Sequence, residues 1–318
     1  MKQTTYNPSG HKGNQPVRVL SLNVTEWFEN TYPQFKEDIL EKAIKEKGLY
    51  EEIRLIEREE KIGDPAFVGS YKVISIEESF LSYLWSLSYS LVVLFDENIH
   101  KPQTIENYTL DSKAQHLINE ALKLFDYGFS LMYNFNYWDK NLPNPEEFDP
   151  AANEYIEKAN GVYLNAVNYV LLHELAHVDL GHIDNDILNS EKGIKTPESE
   201  IKQDEYHADK YAFERIMQGS DYLTNKHTVS VGIIAGICSF IFFSAEMGGG
   251  DHPDPDERLK IALESLDLEE EDNLWGMACL AFKLWSIKHK IDLGWPVKVD
   301  TYRDLFYLTL TRIEALKQ

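Results

Sequence analysis

Cysteine is scarce: Cys238 and Cys279 are the only two in 318 residues. Two isolated thiols make neither a disulfide framework nor a cysteine-rich zinc site. A reducing cytoplasm suits them, with both acting as small hydrophobes. Basic charge is also short. Lys and Arg total 31 against 53 Asp and Glu, for a formal net charge of −22. Phosphate binding wants a basic surface, so nucleic acid is excluded as the expected partner. The opening stretch MKQTTYNPSGHKGNQP lacks an apolar core, so no signal peptide is expected. The most apolar run, Val229–Ala245 (VSVGIIAGICSFIFFSA), falls short of the ~20 residues of a spanning helix. Its small residues suit close packing in a buried core helix, and a membrane segment is the lesser alternative. No internal repeat occurs.

Hydrophobic residues make up 43% of the chain and aromatics 12%, which is enough for a packed core. VRVLSLNV (17–24) alternates and predicts a strand, as does FVGSYKVISI (67–76). Residues 34–60 carry Phe35, Ile39, Leu40 and Ile44 at helical spacing. ESFLSYLWSLSYSLVVLFDE (78–97) is too long for a strand and predicts a buried helix, and the pattern of 109–133 is helical too. The Pro, Asn and Asp of 134–149 mark a loop and the best candidate boundary. It divides an N-terminal α+β region (1–149) from a helical region (150–318), unless the two form one continuous domain. The expected class is mostly α (α+β), with a small sheet in the N-terminal half.

Residues 169–182 read YVLLHELAHVDLGH, an apolar helical face running into imidazoles and a carboxylate. His173 and His177 are four apart, so on a helix both rings address one ion. Glu174 is rotated by ~100°, within reach of a water on that ion without ligating it. This is the HExxH arrangement, in which zinc takes the two histidines and the glutamate is the general base. Gly181 stands at a C-terminal cap position. A catalytic zinc wants three protein ligands and an open position. The next helix is expected over TPESEIKQDEYHADKYAFERIMQG (196–219), with Thr196 as cap, Pro197 in the first turn and Gly219 as stop. On it Glu205 can complete a His, His, Glu set. Asp209, four further on, can accept a hydrogen bond from a ligand histidine. His207, two from Glu205, is expected to point away, and His182 lies outside the tetrahedral set.

HELAH (173–177) followed by EYHAD (205–209) resembles the gluzincin metallopeptidases. That resemblance implies His173, His177 and Glu205 as zinc ligands, Glu174 as base and Asp209 as orienting acid. A broader set of segments is similar to the phage-exclusion, Lit-type peptidases: 78–97, HELAHVDLGH, DEYHADKYA and the apolar helix leading to HPDPDER (252–258). This implies a bacterial protease acting inside the cell, with elongation factor Tu as target and a phage-derived activator as trigger. His252, after Gly248–Gly250, is a candidate donor to the oxyanion of a tetrahedral intermediate, and Tyr206 and Tyr211 are further candidates. Asp254, Pro255 and Glu257 are expected to form a capping box, and Gly248–Gly250 a mobile loop at the cleft. The competing expectations are a non-catalytic, zinc-stabilised binding module and a membrane-associated relative.

Overall fold

The computed structural model describes residues 14–146, 153–219, 222–248, 252–296 and 298–317. The chain opens with a tight helical turn, Pro16–Leu20, that runs into α1 (Ser21–Glu29). The strand expected at 17–24 is therefore corrected to helix. Its alternation misled because Val17, Leu20, Val24 and Phe28 are the buried set, at helical rather than strand spacing, while Leu22 is exposed. A wide turn at Lys36–Leu40 leads into α2 (Glu41–Lys47), which Gly48 ends in the left-handed region (φ 77°). The helical pattern expected over 34–60 stops there. Past it lies the short strand β1 (Arg54–Ile56), which the sequence did not announce.

The strand expected at 67–76 divides into β2 (Ala66–Val68) and β3 (Ile74–Glu77), with a turn between them. The sheet order is β1-β3-β2. β1 runs parallel to β3 (Leu55 opposite Ile76), and β2 runs antiparallel to it (Phe67 opposite Ser75). β2 is thus an edge strand.

α3 (Glu78–Phe95) is buried nearly all round, as a helix at the centre of a core must be. Three of its serines are satisfied by carbonyls: Ser86 and Ser88 donate one turn back, and Ser90 donates to the Ala121 carbonyl on a neighbouring helix. The chain then continues through a wide turn at Asp96–His100 into α4 (Lys101–Thr104). α5 (Ser112–Ser130) starts where the Asp111 carboxylate accepts from the Ala114 N–H. By length and composition, α3 with its extension could cross a membrane, but 94% of its apolar window is buried in protein.

α6 (Tyr155–Asp179) is the central helix of the second half. Gly181, with φ 81°, closes it in the left-handed conformation and turns the chain into α7 (His182–Glu191). α8 (Glu198–Met217) and α9 (Tyr222–Ile241) follow. Thr196 does not cap α8; its hydroxyl donates to Asp186 instead. α9 lies in the core with Val231, Ile233, Ile234, Ile237 and Cys238 buried. Its Gly232 and Gly236 let α6 approach closely: a Cβ at Gly232 would stand 2.3 Å from the Asn165 Cβ. α10 (Pro255–Ser265), α11 (Asn273–His289) and α12 (Tyr302–Leu316) complete the bundle. The capping box expected at α10 does not form. The Asp254 carboxylate takes Lys317, and Glu257 takes the Tyr206 hydroxyl. Of the glycines 248–250, the last two lie outside the described residues, as do 147–149 of the loop expected at 134–149.

Candidate functional site

α6 is buried along its apolar length and reaches the bottom of a cleft near its C-terminal end, where His173, Glu174 and His177 emerge. α8 crosses beside it and brings Glu205 to the same point. The ring nitrogens Nε2 of His173 and His177 lie 3.3 Å apart. Glu205 carboxylate oxygens lie 3.2 Å from His173 Nε2 and 3.5 Å from His177 Nε2. Ligands about 2.0–2.1 Å from one tetrahedral zinc stand roughly 3.3 Å from each other. The two nitrogens and the Glu205 carboxylate are therefore grouped closely enough to address one such ion.

Charge agrees with geometry. Although burial opposes it, hydrogen bonds to Asp209 and Glu205 push His173 up to about 10, so the two carboxylates call for positive charge at this ring. Burial and then the neighbouring His173 push His177 down to about 3, which leaves its lone pair available. Glu205 is held far below the usual carboxylate range despite burial, by its bonds to His173 and His252. The donor set thus fits a divalent cation.

Asp209 reaches the outer side of His173, its Oδ1 2.9 Å from Nδ1. It is itself clamped. Arg258 of α10 donates to both carboxylate oxygens at 2.6 Å, and the Tyr169 hydroxyl donates at 2.9 Å. Arg258 is buried and lies over the Phe240 ring, 5.2 Å from its centroid. Burial alone would raise Asp209, but Arg258 holds it well below the usual carboxylate range. Sequence reasoning gave no role to Arg258 or Tyr169. The one available signal was that a buried aspartate beside a metal ligand needs a cation, and HPDPDER supplies one.

Glu174 lies on the cleft wall, buried, with Val68 of β2 on the same wall. Burial raises its carboxyl to about 7. His252 stands at the rim with its side chain 68% exposed and its Nδ1 3.3 Å from Glu205. Glu205 raises its affinity for a proton. Tyr206 and Tyr211 do not line the cleft; their hydroxyls donate to Glu257 and Asp179. His207 is exposed on the outer face of α8. The cleft measures about 880 Å³, with Phe67, Ile183, Ile201, Phe240, Phe243 and Met247 among its apolar walls. The free edge of β2 borders it.

The family described as Peptidase U49 matches the chain over residues 74–278, a span containing α3, the three donors, Glu174, Asp209, His252 and Arg258. No curated protein and no solved structure matches.

Proposed function

Since this chain belongs to the Peptidase U49 family, we propose that it is a zinc-dependent endopeptidase in which Glu174 is the general base. The observation that carries the proposal is the His173, His177, Glu205 triangle at the floor of a cleft that Glu174 also lines. A closed structural zinc site takes four protein ligands, whereas three ligands leave room for chemistry.

When bound, zinc supplies Lewis acidity, acidifying water and polarising a carbonyl oxygen. Glu174 takes the proton of the attacking water and passes it to the leaving amine. Its burial keeps the carboxylate basic enough for the first transfer. Asp209, anchored by Arg258, holds the His173 ring in register. His252 supplies a donor near Glu205 for the developing oxyanion. An extended substrate adds as a strand to the free edge of β2, and the Phe67, Phe240 and Phe243 wall takes an apolar side chain next to the scissile bond.

The Lit-type resemblance extends the proposal to phage exclusion in the cytoplasm, with elongation factor Tu as substrate and a phage-derived activator. New protein N-termini in bacterial cells, with and without phage, test it. Cells expressing the wild type should show a cut that is absent with Glu174→Gln. Removing a general base costs about 100-fold or more, while that variant keeps its fold and zinc. A cut in elongation factor Tu supports the finer proposal, and a cut elsewhere replaces that substrate. Cleavage that persists in Glu174→Gln would falsify the mechanism.

A further inference from the structure

His177 has a second ring nitrogen, and its surroundings are as specific as those of His173. The Nε2 of His177 faces His173 and Glu205. Its Nδ1 lies 3.1 Å from Nδ1 of His182. The other nitrogen of His182, Nε2, lies 3.3 Å from the Asp204 Oδ1. His182 is 5% exposed and is the first residue of α7, placed there by the left-handed turn at Gly181 that folds the chain back against the end of α6.

Counting protons orders these contacts. A neutral imidazole carries one N–H and one lone pair. With the Nε2 lone pair of His177 offered to a cation, its proton is on Nδ1 and is donated to His182. His182 accepts at Nδ1, so its own proton is on Nε2 and is donated to Asp204. The chain ends on a carboxylate, which only accepts. We propose that His182 and Asp204 are positioning residues that fix the ring and tautomer of His177 through a His177–His182–Asp204 relay, the counterpart of Asp209 on His173. Each ligand histidine then has a carboxylate behind it, one directly and one through an imidazole.

The same count rejects the obvious rival. His182, Asp204 and His207 also offer ligand atoms within 4.8 Å of one another, as a second cation site would. Nε2 of His182 cannot hold both the relay proton and an ion.

The relay rests on the zinc site proposed above, and the test separates the two. Zinc stoichiometry and affinity are measured on the full chain by competition with a chromophoric chelator, alongside the melting temperature of the metal-free protein. The expected result is one ion per chain in the wild type and roughly 10- to 100-fold weaker binding in His182→Ala, with unchanged metal-free melting. His182→Gln, whose amide oxygen can accept from His177, should recover much of the loss. Asp204→Ala should bind several-fold more weakly, and His207→Ala should match the wild type. Wild-type affinity in His182→Ala overturns the relay alone. Two ions per chain, falling to one in His207→Ala, overturns it in favour of a second site. A wild type that binds no zinc overturns the relay together with the zinc site. If His182→Ala melts early without metal, Asp204→Ala at its half-buried position decides, and wild-type affinity there overturns the relay.

Discussion

Glu78 and Asp209 are both carboxylates taken out of water, and their surroundings push them in opposite directions. Asp209 has Arg258 and stays ionised. Glu78, 4% exposed at the start of α3, has an Oε1 without a partner among the described residues. Burial, and then the charge of Glu57, raise its carboxyl to about 7 from 4.5. Between those values the folded chain holds a proton that the unfolded chain has lost, so stability falls as pH rises through this window. The loss amounts to about 3 kcal/mol. Glu78→Gln should raise the melting temperature at pH 8, change little at pH 4, and flatten the profile between them in thermal unfolding across pH. A profile parallel to the wild type would assign the slope to other groups. Legibility at this scale follows sequence distance. His173, Glu174 and His177 could be read because one helical period places them. The Asp209–Arg258 pair spans 49 positions and is created only by the docking of α10 on α8.

Where Gly232 of α9 meets α6, the packing leaves no room for another carbon. At Gly232 a methyl would stand 2.3 Å from the Asn165 Cβ and 3.0 Å from the Val162 carbonyl, on the helix that carries His173 and His177. Gly232→Ala should destabilise by roughly 2–3 kcal/mol, the upper part of the range for overpacking. Gly161→Ala, where the new methyl meets Thr228 Cγ2 at 3.4 Å, should cost far less. Urea unfolding of the pair checks the difference, and equal midpoints would mean that the helices part easily. Element type was readable where the pattern was long, as in α3, α5, α6 and α8. It failed at 17–24, where eight residues satisfy both periods and only the contacts of Leu20 and Phe28 choose the helix. β1 is a three-residue strand whose pairing with β3 is tertiary, so nothing local announces it.

Over the whole molecule, the mostly helical class with a small sheet could be anticipated because the apolar content of 78–97, 155–179 and 229–241 fits no strand. What the sequence withheld is the geometry of the cleft, which depends on the sheet edge meeting α6. Metal removal tests that assembly at its own scale. Zinc at a hundred times its dissociation constant should stabilise the fold by about 2.7 kcal/mol, and a chelator should reverse this. Glu205→Ala should lose most of the response in calorimetry. A melting temperature indifferent to zinc would count against the centre. The clamp of Arg258 on Asp209 also has a bearing on protein synthesis. Glu174, both histidines, Glu205 and Asp209 all leave the ribosome before Arg258 does. Until α10 follows, the aspartate behind His173 lacks the guanidinium that grips both of its oxygens. A translation product that stops short of residue 258 therefore carries the His173, His177, Glu205 set and Glu174 without the clamp that fixes the aspartate behind them.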